Sequence, residues 1–391
     1  MLNQKDQQSN QHDVFPFCPQ PPDWRVDWQA IQSQFSWIRA MEGVQQNPIY
    51  HAEGDVLTHT RMVAEALTAL EEWRSLPAEE RTLLFASALL HDAGKPACLQ
   101  TDEHGQTTSK GHARKGEQIA RRVLWSGSEL PSPLPLRPRE TIAGLVRLHG
   151  LPLRFIDKSD PERAVIAASQ RIRMDHVALL AEADVRGREC NEKDELLARI
   201  TLFREFCQEQ QCYHAPRSFP TPHSRFVYFH HTTGDPNYDA YDTTTFEVIM
   251  LSGLPGVGKD TWLYENKVQW PVISLDGIRK ELRISPEETQ GQVVQLAKER
   301  ARQLMRQRLS FVWNATNVTR VVREQLIDLF VSYGARVRIV YLDASLSVIF
   351  KHNRARQDYV LEHVIDKLID KLEIPDLTEA HEVMWITQEK D

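Results

Sequence analysis

Residues 253–262 read GLPGVGKDTW, and this stretch decides the fold of the second half of the chain. It follows the apolar run FEVIML and precedes TWLYENK. A buried strand should therefore lead into a glycine-rich loop and then into a helix. Gly256 and Gly258 allow the backbone to turn its amide hydrogens toward one point, and Lys259 follows at the start of the helix. The pattern predicts a loop that cradles phosphate groups, and a tight glycine turn without a ligand is the alternative.

The residue after the lysine departs from the usual serine or threonine, because Asp260 stands there. A carboxylate is a hard ligand that suits Mg²⁺ directly or through a coordinated water, so we expect Asp260 to help hold hydrated magnesium. Thr261 lies one helical position further round and is not expected to replace the missing hydroxyl. The cofactor is predicted to be ATP or another nucleoside triphosphate with Mg²⁺. The predicted cofactor-binding residues are Gly253, Gly256, Val257, Gly258, Lys259, Asp260 and Thr261.

The chain alternates between strands and helices around this loop. FEVIML, PVIS, SFVWN and VRIVYLD are typical of buried strands, and a helical stretch follows each of them. This rhythm predicts an α/β domain with a parallel sheet. Asp276, in SLDGIR, directly follows the second strand, where open α/β sheets bind ligands. It could accept the proton of an attacking hydroxyl, and Arg279 on the same helix face could grip a phosphate. A helix-capping aspartate with a solvated arginine is the alternative.

Two arginines late in the chain are candidates for a mobile lid. Arg354 and Arg356 lie in IFKHNRARQDY. An arginine that closes over the γ-phosphate would stabilise the charge of the transition state. Two residues apart on a helix, the two side chains point to different faces, and solvated helix arginines are the alternative.

The order GLPGVGKDTW, SLDGIR, NATN and NRAR resembles that of phage-type 5′-hydroxyl polynucleotide kinases, over about residues 246–391. The resemblance implies a P-loop kinase domain with a helical lid. It implies that Lys259 binds ATP phosphates, Asp276 is the general base, and Arg279 contacts the phosphate next to the acceptor 5′-hydroxyl. Arg354 or Arg356 would be the lid arginine, and Asn317 and Arg323 match positions that line the same site. Asp260 and Ala315 depart from the family pattern at the expected magnesium site.

Residues 24–215 have a different texture, with amphipathic helices and few strand signals. HDAGK, residues 91–95, follows one helix, and His59 and Asp184 lie in helical settings before and after it. Imidazole and carboxylate ligands without thiols suit a hydrolytic divalent ion such as Mn, Ni, Co or Mg, which would activate a water. The predicted metal ligands are His59, His91, Asp92 and Asp184, with His112 and His149 for a second ion. Lys95 could neutralise a substrate phosphate, and His51 could act as an acid or support a ligand.

This order of histidines and aspartates resembles the HD phosphohydrolase superfamily, over about residues 30–210. HAEGDVLTHT and EADVRGR are especially similar to HD domains attached to RNA-processing enzymes. The fusion of an HD domain with a polynucleotide-kinase-like domain resembles bacterial RNA end-healing enzymes. It implies 5′-phosphorylation and removal of 2′,3′-cyclic, 2′- or 3′-phosphates, so the expected partner is nucleic acid, RNA favoured, with a ligase acting downstream. A metabolite kinase fused to a nucleotide phosphohydrolase, and a nucleotide-sensing HD regulator, are the alternatives.

The remaining features concern the chain as a whole. Its 391 residues predict several domains: a flexible tail over 1–23, an all-α domain over 24–215, a linker over 216–245 with one short strand, and the kinase domain over 246–391. The five cysteines are scattered and odd in number, and the chain lacks a long apolar run. Both features favour a cytoplasmic protein without a membrane span. Net charge is −7, yet residues 279–323 carry ten Lys/Arg against four Glu. That stretch could follow a phosphate backbone, or it could be a solvated helix face.

Overall fold

The computed structural model describes residues 15–103, 107–231, 234–284, 288, 290–356 and 359–388. The chain divides into two compact units, Met1–Ser218 and Phe219–Asp391. We describe each unit by itself.

The first unit is helical. Its described residues form α1 (Trp28–Gln34), α2 (Ser36–Arg39), α3 (Val56–Ala69), α4 (Glu71–Ser75), α5 (Ala78–Leu90), α6 (Lys95–Cys98), α7 (His112–Ser126), α8 (Leu136–Leu148), α9 (Leu151–Arg154), α10 (Pro161–Ser169), α11 (Met174–Arg186) and α12 (Lys193–Glu209). A two-stranded hairpin, β1 (Gln100–Thr101) and β2 (Thr107–Thr108), is the one departure from the all-α prediction among the described residues of this unit.

Two helical segments that are buried on all sides form the centre of this unit. Residues 82–90 of α5 are mostly apolar, whereas residues 174–185 of α11 include the buried Asp175, His176, Glu182 and Asp184. Burial of each large apolar side chain contributes about 1.5–3 kcal/mol, which offsets the cost of ordering these helices. The helix α3 packs its apolar stripe against both, and Asp55 caps it by accepting from the Thr58 amide at 2.9 Å. The helix ends that meet in this core carry the predicted metal ligands.

The second unit is an α/β sandwich, which confirms the predicted fold class. Its described elements are α13 (Pro222–His230), β3 (Phe246–Ser252), α14 (Lys259–Glu265), β4 (Val272–Ser274), α15 (Leu275–Leu282), α16 (Gly291–Arg306), β5 (Phe311–Asn314), α17 (Arg320–Val331), β6 (Ala335–Asp343), α18 (Leu346–Ala355), α19 (Glu362–Lys371) and β7 (Glu382–Thr387). The strand order is β4-β5-β3-β6-β7, and every pair is parallel. All four predicted strands are present.

The sheet topology places the glycine-rich loop centrally. It follows β3, the middle strand, which pairs with β5 on one side and β6 on the other. In register, Leu251 lies opposite Asn314, so the ends of β3 and β5 reach the same edge. Open α/β sheets bind their ligands at this carboxyl edge.

Three segments differ from the sequence expectations. The proposed linker over 216–245 contains the helix α13, whose Phe226 is 3% exposed within the core of the second unit. The fifth strand, β7, was not predicted, because its burial does not alternate cleanly along EVMWIT. In the proposed tail over 1–23, residues 1–14 lie outside the described part, but Phe15 is buried and stacks on Phe35 at a centroid distance of 5.4 Å. The residues after Phe15 therefore pack as part of the unit instead of forming a flexible tail.

None of the described helices is long and apolar enough to cross a membrane.

Candidate active sites

Three helices of the first unit bring histidine and aspartate side chains to one point. His59 lies on α3, His91 directly follows α5, and Asp184 lies near the end of α11. The Nε2 atom of His59 is 3.3 Å from His91 Nε2 and 3.1 Å from Asp184 Oδ1. One ligand atom from each of the three residues lies within 4.8 Å of the others. This spacing suits three ligands of a single divalent ion.

Asp92 connects this group to a second one. Asp92, His112 and His149 also offer ligand atoms within 4.8 Å of one another, with His112 at the start of α7 and His149 at the end of α8. Asp92 Oδ2 is 3.1 Å from His91 Nε2, and Asp92 Oδ1 is 3.5 Å from His112 Nε2. The carboxylate therefore lies between two groups of imidazoles, as a bridging ligand in a two-metal site would.

Hydrogen bonds at Nδ1 set the orientation of three of these rings. In His91, His112 and His149, Nδ1 lies 2.7, 2.9 and 2.8 Å from the backbone carbonyl oxygen three residues earlier. A carbonyl only accepts, so Nδ1 donates and Nε2 keeps its lone pair for a metal. All six predicted ligands thus converge, each histidine with Nε2 toward the centre of the cluster.

Glu53 orients the fourth ring and is a residue that the sequence analysis missed. Its buried Oε1 lies 2.8 Å from Nδ1 of His59 and 2.8 Å from Nδ1 of His51. Its second oxygen accepts from the Glu189 amide at 3.0 Å. Burial would raise the pKa of Glu53, but the hydrogen bonds from the two histidines hold it below the usual value. The HAEGDV sequence placed this carboxylate within two residues of His51, which was the available signal.

A second missed residue is Arg188, one helical turn after Asp184. Its Nε lies 3.0 Å from Asp184 Oδ1, and a further guanidinium nitrogen contacts Oδ2. Burial would raise the pKa of Asp184, but the charge of Arg188 keeps it well below the usual range. Arg188 therefore keeps this carboxylate ionised and in place.

Burial and charge keep the remaining groups in their metal-binding forms. Burial lowers the pKa of His149 to about 3, so its imidazole is neutral near neutral pH. Burial would raise the pKa of Asp92, but His91 and Lys95 hold it well below the usual value. Lys95 Nζ is 2.7 Å from Asp92 Oδ2 and also donates to Gln46.

The donor set fits a metal centre. Both buried Asp92 oxygens accept no well-directed hydrogen bond from the described residues, and two imidazole Nε2 atoms face each other without a proton donor between them. Apart from the ion pair of Lys95 with Asp92 Oδ2, these buried acceptors have no cationic partner among the described lysines and arginines, which is costly unless a metal ion binds them. His59, His91 and Asp184 would hold one ion, and Asp92, His112 and His149 would hold the second.

The second unit contains the glycine-rich loop that is predicted to bind phosphate. Gly256 has φ of 82° and Gly258 has φ of 94°, a region that favours glycine. A Cβ at Gly256 would lie 2.6 Å from the Ile349 carbonyl oxygen, so the loop packs tightly against α18. Lys259 Nζ donates to the Gly253 carbonyl at 3.0 Å and to another loop carbonyl at 2.9 Å. Burial lowers the pKa of Lys259 to about 8.

Three other predicted cofactor-binding residues differ in how exposed their side chains are. Val257 is 1% exposed and packs under the loop, whereas Thr261 is exposed on α14. Asp260 is also exposed, and its Oδ1 accepts from Asn314 Nδ2 at 2.7 Å. Asp260 thus presents a carboxylate beside the loop.

Asp276 lies at the same edge of the sheet, with both its oxygens in contact with arginines. Arg279 contacts Oδ1, and Arg356 lies 3.4 Å from Oδ2. Asp276 and Arg356 also act electrostatically on Lys259, in opposite directions, so the three groups lie near one another. Arg354, by contrast, pairs with Glu362 at 2.8 Å, and its side chain is 65% exposed. Of the two candidate lid arginines, the structure therefore brings only Arg356 to the predicted base.

Asn317 and Arg323 occupy other roles than the predicted binding of substrate. The Asn317 amide donates to the Leu251 carbonyl at 2.6 Å and ties the loop after β5 to β3. Arg323 is fully buried and makes a two-pronged contact with Glu379 at 2.7 and 2.9 Å. Its remaining nitrogen donates to the carbonyls of Asn317 and Glu373. All the guanidinium nitrogens of Arg323 are thus engaged inside the protein, and Asn317 is 5% exposed.

The basic stretch over 279–323 is partly neutralised in the fold. Arg300 pairs with Glu281 at 2.6 Å, and Arg302 and Arg306 reach Glu299 at 3.5 and 3.4 Å. These two glutamates are already subtracted in the sequence count. The surplus is reduced by carboxylates outside the stretch, since Arg279 pairs with Asp276, Arg320 with Asp376 and Arg323 with Glu379.

Comparison with known protein families gives a separate match in each of the two units. A family model described as an HD domain matches residues 56–175, and a model described as an AAA domain matches residues 248–375. The helical unit is therefore similar to HD domains, and the α/β unit, with its P-loop-like segment, is similar to AAA domains. The HD match includes five of the six predicted ligands and ends before Asp184, so the place of Asp184 rests on the geometry.

Similar solved structures include two with low overall likeness. One is a candidate kinase from Chloroflexus aurantiacus J-10-fl, 14% identical over 37% of this chain and 86% of that chain, with a TM-score of 0.32. The other is Chaetomium thermophilum Kti12 in complex with ADP-AlF3, 15% identical over 37% of this chain and 90% of that chain, with a TM-score of 0.29.

Proposed function

We propose that this chain repairs broken RNA ends, by phosphorylating a 5′-hydroxyl and hydrolysing a 2′,3′-cyclic, 2′- or 3′-phosphate. The observation that carries the proposal is the cluster around Asp276, in the same chain as an HD cluster. Arg279 and Arg356 contact the Asp276 carboxylate, and this carboxylate acts electrostatically on Lys259. RNA cleavage by 2′-hydroxyl attack leaves both kinds of blocked end, and a ligase needs both repaired. Two phosphate chemistries in one chain then act on one substrate.

In the kinase reaction, the loop amides and Lys259 hold the β- and γ-phosphates of ATP. Asp276 accepts the proton of the 5′-hydroxyl while the oxygen forms its bond to the γ-phosphorus and the bond to the β-phosphate oxygen breaks. Arg356 stabilises the charge that develops on the transferred group, and Arg279 grips the phosphate next to the acceptor nucleoside.

The side chain of Asp276 is 57% exposed, which favours a large acceptor. A kinase for a small metabolite gains more by enclosing its substrate and excluding water. An open base beside a phosphate-gripping arginine fits the end of a polymer.

In the HD domain, a divalent ion would supply an ionised water near neutral pH. The chain's own residues orient that chemistry. Glu53 and the backbone carbonyls fix the imidazoles, Asp92 lies between the two ligand groups, and Lys95 offers positive charge to a substrate phosphate. Burial lowers the pKa of His51 to about 4, so this ring is neutral near neutral pH, and it supports His59 through Glu53, which both rings contact.

One assay tests the proposal. The protein is incubated with γ-labelled ATP, Mg²⁺ or Mn²⁺, and RNA with 5′-hydroxyl and 2′,3′-cyclic phosphate ends, in parallel with mononucleotides and sugars. We expect label on the RNA 5′ end and loss of the cyclic phosphate. Label on small acceptors alone would instead indicate a metabolite kinase, and no transfer to any acceptor would indicate a nucleotide sensor.

A further inference from the structure

The contact between Asp260 and Asn314 joins two positions at the edge of the phosphate loop. Asp260 is the first residue after the loop lysine, and Asn314 is the last residue of β5. The Asn314 amide is 8% exposed and donates to Asp260 Oδ1 at 2.7 Å. Among the described residues, Asn314 is the side chain that hydrogen-bonds to the Asp260 carboxylate, and Asp260 is exposed to solvent.

In P-loop enzymes the magnesium ligands lie at these two places in the fold, but here the types of side chain are exchanged. Such enzymes hold Mg²⁺ through a Ser or Thr after the lysine and an Asp at the end of a strand beside the loop strand. Here β5 is that neighbouring strand, since Leu251 of β3 pairs with Asn314. The hydroxyl position holds a carboxylate, and the end of the neighbouring strand holds an amide. The sequence resemblance aligns the family's acidic residue with Ala315, one position later, but the side chain that contacts Asp260 in the structure is that of Asn314.

We propose that the magnesium carboxylate of this chain has been moved from the strand to the loop, with Asp260 as ligand and Asn314 as its positioning residue. This inference rests on the proposed kinase activity only in that both need a bound nucleotide. The exchange conserves the charge, since each arrangement contains one carboxylate and one neutral group. It also conserves the hydrogen bond, because the neutral group donates to the carboxylate in both.

The geometry explains why the two residues depend on each other. The Asn314 amide donates to Oδ1, and Asp260 is exposed to solvent, so its carboxylate remains accessible to a hydrated ion. A carboxylate at both positions would place two negative charges in contact beside the γ-phosphate, which raises the pKa of one and repels the nucleotide. A carboxylate at neither position would leave the ion without a protein ligand of negative charge.

The test compares Asp260→Thr, Asn314→Asp and the double variant. Affinity for a fluorescent ATP analogue is measured with Mg²⁺ and in EDTA, and Mn²⁺ binding to the nucleotide complex is followed by electron paramagnetic resonance. Each single variant should lose about 10- to 100-fold of the metal-dependent affinity, as for other supporting residues of metal sites. The double variant should recover to within about threefold of the wild-type protein, since P-loop enzymes use that arrangement.

Binding in EDTA and the thermal unfolding midpoint report whether a variant has folded. Gln269→Glu, an exposed site after the same helix, controls for the added negative charge. Single variants that keep the wild-type metal dependence, or a folded double variant no better than Asp260→Thr, would overturn the inference. RNA phosphorylation by the wild-type protein would then still stand. Conversely, rescue by the double variant without any RNA phosphorylation would support the exchanged site and reject the proposed acceptor.

Discussion

The Arg356 guanidinium lies 3.4 Å from the Asp276 carboxylate, although 80 residues separate them in the sequence. The contact joins the segment after α18 to the start of α15, across the mouth of the phosphate loop. Arg354, two residues earlier, points away to Glu362. The structure thus distinguishes two arginines that look equivalent in the sequence.

We therefore expect Arg356→Ala to lower kcat of the kinase by at least about 100-fold, within the range known for arginines that stabilise phosphoryl transfer. Arg354→Ala is the matched control and should change kcat by less than about threefold, because exposed ion pairs contribute little. Steady-state kinetics with a 5′-hydroxyl oligonucleotide measures both. The reverse ranking would assign the lid role to Arg354.

The two sites should be separable by mutation. Asp276→Asn removes the proton acceptor, so 5′-phosphorylation should fall by at least about 100-fold while phosphate hydrolysis is unchanged. Asp92→Asn should have the opposite effect, because it removes the carboxylate between the two ligand groups. Both activities are read from one gel with doubly blocked RNA. Loss of both activities in either variant, with normal circular dichroism, would contradict independent sites.

Glu53 should control metal affinity without itself binding metal. In Glu53→Gln the charge that orients His59 is lost, and we expect metal affinity to fall about 10- to 100-fold. Competition with a chromophoric chelator at constant pH measures this. Glu65→Gln, on an exposed face of α3, is the matched control. Equal affinity in the two variants would show that Glu53 does not support the site.

Arg323 should act on stability and not on RNA binding. Arg323→Met leaves buried Glu379 without its partner, which should cost about 3–5 kcal/mol of the free energy of unfolding. Adding Glu379→Leu should restore at least about 2 kcal/mol, because no buried charge then remains. Urea unfolding provides both values. A stable Arg323→Met protein with a raised KM for RNA would instead support the binding role predicted from the sequence.

The second unit should lose stability in mild acid through His381. Burial lowers the pKa of His381 to about 3, and its Nδ1 accepts from the Val337 amide at 3.1 Å. Since the folded pKa lies below the unfolded value of about 6.5, the stabilisation is complete above pH 6.5 and falls as the pH drops. By pH 5 the free energy of unfolding of the wild-type protein should have fallen by about 2 kcal/mol because of this histidine.

Gln cannot gain a proton, so the change in stability between pH 7 and pH 5 should be smaller by that amount in His381→Gln. Hydrogen exchange of β6 peptides at the two pH values localises the effect to this unit. His363→Gln, at an exposed position, should behave like the wild-type protein. An unchanged pH dependence in His381→Gln would show that another group is responsible.

Much of the candidate chemistry could be predicted because it depends on local spacing. The strand, glycine loop and lysine of GLPGVGKDTW are contiguous, and the helix ends with His59, His91 and Asp184 carry their ligands at fixed positions. Orienting groups were harder to find. Glu53 and Arg188 are common surface residue types, and only their hydrogen bonds to ligands distinguish them.

The sequence by itself predicted the two fold classes, four of the five strands of the parallel sheet and the candidate residues for binding metal or phosphate. Hydrophobic periodicity and glycine conformation are properties of neighbouring residues, so they can be read locally. Only the tertiary structure decided which arginine reaches Asp276, that Arg323 is enclosed by Glu379, and that Asn314 holds Asp260. These outcomes depend on contacts between residues more than 50 positions apart, where packing selects one side-chain orientation among several that the sequence allows.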